Sequence, residues 1–222
     1  MNEYIHNKNN RILVVTSVEA EKQAVLRGLG HIQGVEVAVV GVGVVSAAVN
    51  TAFILAATKF DLVINAGIAG GFKGKIDVES IVVSSELIAA DLGAETQGGF
   101  SNLEELNLGS TCIKVNETLY TSVTKALIEQ GLQARSGPIL TLSTVTGTLE
   151  TAEKLAKKVP NAVAEAMEGF GVAVAAERKN IPVLEIRSIS NMVGPRDRDA
   201  WKIKEALVAL EKASSVLREV FN

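Results

Sequence analysis

The sequence predicts one α/β domain built on a mixed, mostly parallel sheet flanked by helices. Three observations predict it. Short apolar runs alternate with helical patterns along almost the whole chain. At 222 residues there is material for one sizeable core without a second domain. No internal repeat, linker or low-complexity segment interrupts the alternation. The expected organisation is a flexible polar tail over 1–10 and a single domain over 11–222.

The elements follow in order. Ile12 to Val15 is the apolar run of a buried parallel strand. Thr16 stands three residues before Glu19, the spacing of a capping box, and opens a helix with Val18, Val25 and Leu29 on one face and Leu26 at its margin. A second strand, Val35 to Val40, leads through Gly41-Val42-Gly43 into a small-residue helix from about Val45 to Ala57. Leu62 to Asn65 is a third strand that runs into a glycine-rich turn, and Ser80 to Ala90 a further β segment. Asp91 to Asn107 is polar and glycine-rich, which predicts a loop or lid.

Beyond it, Cys112 to Val115 is a short strand, Leu119 to Gln130 a helix and Pro138 to Ser143 a strand. Leu149 to Lys157 is a helix opened by Thr148. Ala162 to Ala166 is a short β piece, followed by a helix from Glu168 to about Arg178. Val183 to Ile189 is a strand, and the last helix, Asp199 to Phe221, carries Ile203, Leu207, Leu210, Leu217 and Phe221 along one side.

Composition narrows the function. A net charge of −3 leaves no electrostatic footprint for nucleic acid or an anionic membrane, so the expected partner is a small molecule. The single cysteine, Cys112, leaves no internal disulfide and no cysteine-rich metal site, and His6 and His31 show no metal spacing; neither metal nor cofactor is expected. The uncharged stretch Val37 to Thr58 has the length of a membrane span, but Gly41 and Gly43 break it. With no apolar core of a secretory signal at the N-terminus, the expected location is the cytoplasm.

The chemistry must then rest on carboxylates, arginine, amides and backbone groups. Glu21 follows Val18 by three residues and precedes Val25 by four, so it projects toward the buried stripe at the strand's C-terminal end. It either meets the helix dipole or serves a site. Four glycines between Ala66 and Gly74 either bring backbone N–H groups close to a ligand or allow tight packing. Gly41-x-Gly43-x-x-Ser46 resembles a dinucleotide fingerprint, but Asp61 precedes the next strand instead of ending it. Arg187 lies within a strand covered on both faces; Glu185 on the same face is a structural partner for it, and a site carboxylate is the other. Glu168 opens a helix, and Asn191 ends the Arg187 strand.

Three signatures in this order and spacing are Val18-Glu19-Ala20-Glu21, Asn65-Ala66-Gly67-Ile68-Ala69-Gly70-Gly71, and Ala166-Met167-Glu168-Gly169 with Ile186-Arg187-Ser188-Ile189-Ser190-Asn191. Together they resemble the purine nucleoside phosphorylase/nucleosidase superfamily, especially the 5′-methylthioadenosine/S-adenosylhomocysteine nucleosidases, from about Arg11 onward. The resemblance implies that Glu21 holds and deprotonates the attacking water. It implies that Glu168 binds the ribose hydroxyls, Met167 packs on the sugar and Arg187 lies near the water. Ile68, Ala69 and Gly70, with Val145 and Thr146 at the base pocket, then line the substrate.

Two departures carry information. Ile68 replaces a serine, and Asn191 replaces the aspartate that acts as general acid toward adenine. An asparagine amide only donates a hydrogen bond, which suits a 6-oxopurine whose leaving charge spreads onto O6. The same amide is also able to pair with the N6/N7 edge of adenine. Gly-Ile-Ala-Gly, Ser143-Thr144-Val145-Thr146-Gly147-Thr148 and Ile189-Ser190-Asn191 followed by Pro195-Arg196-Asp197-Arg198 are similar to the futalosine hydrolase branch. That implies hydrolysis of futalosine to hypoxanthine and dehypoxanthine futalosine in menaquinone biosynthesis, by a homodimer or higher homo-oligomer. Arg196, Arg198 or Lys202 then meets the carboxylate beyond the 5′ carbon, or forms a solvated charge cluster. The alternatives are an adenine-type nucleosidase, a non-catalytic nucleoside-binding protein and a Rossmann dehydrogenase.

Overall fold

A computed structural model describes residues 10–221. The expected polar tail, with His6, lies outside the described residues except for Asn10.

The first half is β1 (Ile12–Thr16), α1 (Glu19–Leu29), β2 (Val35–Val39), α2 (Val44–Ala57), β3 (Leu62–Gly71) and β4 (Ile81–Ala89). Then come β5 (Gly93–Thr96), β6 (Gly99–Asn102), β7 (Cys112–Lys114), α3 (Glu117–Glu129) and β8 (Ala134–Thr141). The chain closes with α4 (Leu149–Lys158), β9 (Ala164–Ala166), α5 (Gly169–Glu177), β10 (Val183–Met192) and α6 (Ile203–Val220). The uncharged stretch from Val37 to Thr58 is thus the end of a strand, a glycine turn and a helix. No helix among the described residues is long and apolar enough to cross a membrane.

The sheet is mixed and mostly parallel. β2, β1, β3 and β10 run parallel in that order, as do β4, β8 and β9. Antiparallel pairs β10–β4 and β3–β9 join the two sets, so β3, β10, β4, β8 and β9 pair in a closed cycle. A cluster built from that cycle includes Ala69, Val82, Ile139, Ala164 and Ile189. The largest core lies under the helices: Leu13 and Val15 from β1 and Ile64 from β3 meet Val25, Ala173 and Leu210. α1 packs on α6, and α2 on α5.

Four local expectations are corrected. Thr16 is the last residue of β1; α1 instead has Val18 at its N-cap, where Glu21 accepts the cap N–H, so Val18 sits outside the buried stripe and is 41% exposed. The glycine segment after Asn65 is not a turn: β3 runs through it to Gly71, because ladder bonds to β10 and β9 hold it extended. The predicted loop from Asp91 to Asn107 contains the β5–β6 hairpin. β10 continues past Ile189 through a bulge, since Ile189 pairs with Ala69 but Asn191 with Gly70.

Candidate active site

Register assembles the site. β3 and β10 run side by side with Asn65 opposite Glu185 and Gly67 opposite Arg187. The bulge leaves Ser190 unpaired in the ladder and breaks the strict in-and-out alternation, so both Ser190 and Asn191 reach the same cavity. That cavity, of about 550 Å³, lies just past the end of β1 and against the C-terminal halves of β3 and β10, the end of the sheet where open α/β sheets hold ligands.

Glu21, in the first turn of α1, is 3% exposed. Its Oε2 accepts from the N–H groups of Ser17 (2.9 Å) and Val18 (3.2 Å), and its Oε1 from Ile68 N–H (2.9 Å). The carboxylate is therefore tied both to the helix start and to the far strand. Ser17 Oγ, also on the cavity wall, is buried without a hydrogen-bond partner among the described residues.

Arg187 takes both partners left open by its position. Its Nε donates to Glu185 Oε1 at 2.8 Å, its Nη2 to Glu168 Oε2 at 3.0 Å and its Nη1 to Ile68 O at 3.2 Å. Asn65 Nδ2 also donates to Glu185 Oε1. Glu168, the N-cap of α5, accepts from Gly43 N–H at 3.1 Å, tying α5 to the turn before α2. Gly67 is glycine for space: a Cβ there would lie 2.5 Å from Arg187 Nη1 and 2.6 Å from Glu21 Oε1. The two groups thus meet across Gly67.

Electrostatics follows from that packing. Burial raises the pKa of Glu21, and this outweighs the opposing charge of Arg187 and the N–H groups of Ile68 and Ser17. The Arg187 charge favours the anionic form of Glu21 and pulls its pKa down, while burial is the larger effect. Burial likewise raises Glu185, against Arg187. For Arg187, burial favours losing the proton, but Glu185, Glu168 and Glu21 reverse that and hold it firmly cationic.

The other expected residues gather here. Ile68, Ala69, Gly70, Val145, Met167 and Asn191 line the cavity; Thr146 stands behind the wall, bonded to Glu165. Asn191 Oδ1 accepts from Ser190 Oγ, and one Nδ2 hydrogen goes to Met192 O at 3.1 Å, which leaves the second free for a ligand. Of the three cations considered for the 5′ end, only Arg198 lines the cavity; Arg196 stacks over Trp201 at 5.1 Å, and Lys202 Nζ faces Glu205 at 3.8 Å.

Sequence reasoning missed Glu165 and Trp201, both on the cavity wall. Glu165 is 5% exposed in a three-residue strand too short to show a period. A charged residue flanked by Ala164 and Ala166 in a β piece was the available signal.

Comparisons with known proteins give the family. The profile of the phosphorylase superfamily matches residues 7–222. The chain is 43% identical to a futalosine hydrolase of Streptomyces coelicolor, over 94% of this chain and 95% of that protein. It is 34% identical to a 5′-methylthioadenosine/S-adenosylhomocysteine nucleosidase of Maridesulfovibrio salexigens, over 74% of this chain and 71% of that one. The native structure of a Helicobacter pylori futalosine hydrolase superposes with a TM-score of 0.82 at 19% identity, covering 95% of this chain and 98% of the other, which is a likeness of fold. This chain belongs to the phosphorylase superfamily, in the family of the futalosine hydrolases.

Proposed function

We propose that this protein is an N-glycosyl hydrolase that cleaves futalosine to hypoxanthine and dehypoxanthine futalosine, a step of menaquinone biosynthesis. The observation that carries the reading is that Glu21, Glu168 and Asn191 face one cavity, with an amide where an acid would serve adenine. The 43% identity to a futalosine hydrolase along almost the whole chain supports the substrate.

In this mechanism Glu21 orients a water at the anomeric carbon and takes its proton as the sugar passes through an oxocarbenium-like state. Burial, which raises the pKa of Glu21, makes it a stronger base for that task. Glu168, held by Arg187 and Gly43 N–H, grips the ribose hydroxyls beside Met167. The bond from the anomeric carbon to the base nitrogen breaks and its electron pair leaves on the purine. The negative charge spreads to O6, where the free Asn191 N–H stabilises it. Hydrolysis is favoured over phosphorolysis because Thr16, Ser17 and Val18 bring no cation to a phosphate. Arg198 is the cation best placed for the carboxylate beyond the 5′ carbon.

The reading extends to one nucleosidase domain over 11–222, acting in the cytoplasm as a homodimer or higher homo-oligomer. α2 carries no charged residue, yet Val45 is 73% and Phe53 70% exposed on it, beside the cavity residue Val42; a second copy is the expected cover. The test of the mechanism is Glu21→Gln. It should lower kcat by about 10²–10⁴ while futalosine binding stays measurable. Turnover within a few-fold of wild type would remove Glu21 from the base role.

A further inference from the structure

The mechanism leaves one buried acid of the cavity without a task. Glu165 sits in β9, where it pairs with Gly70 on one side and Leu140 on the other, and its side chain lies on the cavity wall. Its Oε1 accepts Thr146 N–H at 3.0 Å and its Oε2 the Thr146 hydroxyl at 2.6 Å. Two of about four lone-pair positions are thereby used. Glu168 and Glu185 are paired to Arg187, but no ion pair among the described residues includes Glu165. A buried carboxylate satisfied only by neutral donors and open to a cavity is an acceptor with capacity left for a ligand N–H.

Its neighbour on that wall is Asn191. A Cβ on Gly70 would lie 3.4 Å from Asn191 Nδ2 and 3.5 Å from Glu165 Cγ, so the amide donor and the Glu165 side chain flank the same bare glycine. Hypoxanthine presents the matching pair on adjacent ring positions: O6 accepts, and N1–H donates. Adenine presents the reverse, an amino donor at C6 and a lone pair at N1. With the amide on O6, an adenine in the same register would turn its N1 lone pair onto the carboxylate.

We infer that Glu165 reads the N1–H of a 6-oxopurine and, with Asn191, decides hypoxanthine over adenine. This rests on the 6-oxopurine nucleosidase reading above. It assigns Glu165 a specificity-determining contact with the base, not a step in bond cleavage. Burial raises the Glu165 pKa against the two Thr146 bonds, which is in keeping with an acid that has no cationic partner.

A purely structural role, holding the 143–147 loop through Thr146, makes a different prediction, and base binding separates the two. Dissociation constants of hypoxanthine, 1-methylhypoxanthine and adenine are measured by calorimetry for the wild type and Glu165→Gln. The wild type should bind hypoxanthine about ten- to a hundred-fold more tightly than 1-methylhypoxanthine, which has lost the N1 donor. Glu165→Gln offers an amide that either accepts from N1–H or donates to N1, so it should move the hypoxanthine-to-adenine ratio toward adenine by about tenfold or more.

A wild type that prefers hypoxanthine to adenine but binds the 1-methyl base equally well overturns the role of Glu165 alone, with no variant needed. A variant that weakens hypoxanthine and adenine by one common factor overturns it too, since that is loop support. A wild type that prefers adenine overturns both this inference and the functional reading beneath it.

Discussion

Gly169→Ala should unfold this protein more easily than any surface change of the same size, because of one carboxylate. A Cβ at position 169 would stand 2.6 Å from both Cδ and Oε1 of Glu185, well inside van der Waals contact. Glu185 has 0% exposure, and its Oε1 is held by Arg187 Nε at 2.8 Å and Asn65 Nδ2 at 3.0 Å. Moving the carboxylate away from the new methyl group would strain those bonds.

Overpacking of this kind costs about 1–3 kcal/mol, and weakening one buried charge-assisted hydrogen bond costs about 1.5–3 kcal/mol more. The sum, roughly 2.5–6 kcal/mol, corresponds to a melting temperature lower by about 5–20 °C in a domain of this size. Because Arg187 also holds Glu168, kcat/KM should fall with it. Urea and thermal unfolding are the assay. Gly98→Ala is the control, since its Cβ would meet only Thr96 Oγ1 at 3.8 Å and should cost less than about 0.5 kcal/mol. If Gly169→Ala matches Gly98→Ala in stability, the account of the buried Glu185–Arg187–Glu168 chain is wrong.

Four further outcomes are expected. The acid limb of the kcat/KM profile for futalosine should report an apparent pKa above the ordinary 4.5, since Glu21 must be ionised to take a proton and burial raises it; a limb at or below 4.5 would contradict that assignment. Glu21, Glu165 and Glu185 are all raised, so between 4.5 and their folded values the native state holds more protons than the unfolded chain. Their stabilising effect is whole below 4.5 and is lost as pH rises through the folded values, so urea midpoints should show less of this loss in Glu165→Gln than in wild type. Asn191→Asp restores an acid beside the base and should raise adenine release from methylthioadenosine, relative to hypoxanthine release from futalosine, by about ten- to a hundred-fold; an unchanged ratio of kcat/KM values would count against an Asn191 contact with the base. Arg198→Ala should raise KM for futalosine about fivefold and leave inosine, which lacks the 5′ carboxylate, unaffected; equal effects on both would return Arg198 to a solvated surface role.

Where local physics dominates, the sequence was a good guide. α4 shows its Thr148 cap, whose hydroxyl accepts from Thr151 N–H, and β1 shows its unbroken apolar run. Glu21 was legible because helical spacing turned it inward from the first turn. What escaped was set by partners distant in sequence. β3 reads as a turn because glycines usually punctuate structure, and only its neighbours β10 and β9 keep it extended. The β5–β6 strands are short, polar and mostly exposed, so no apolar alternation marks them. Glu165 is buried only because β9 lies between β8 and β3, a pairing that no local pattern announces.

The choice between the two relatives in this fold comes down to products. Purified protein incubated with futalosine and, separately, with methylthioadenosine, each with and without phosphate, is assayed for released base by chromatography. The expected products are hypoxanthine from futalosine, at the same rate with or without phosphate, and little adenine from methylthioadenosine. Adenine release at comparable efficiency, or turnover that requires phosphate, would contradict that expectation.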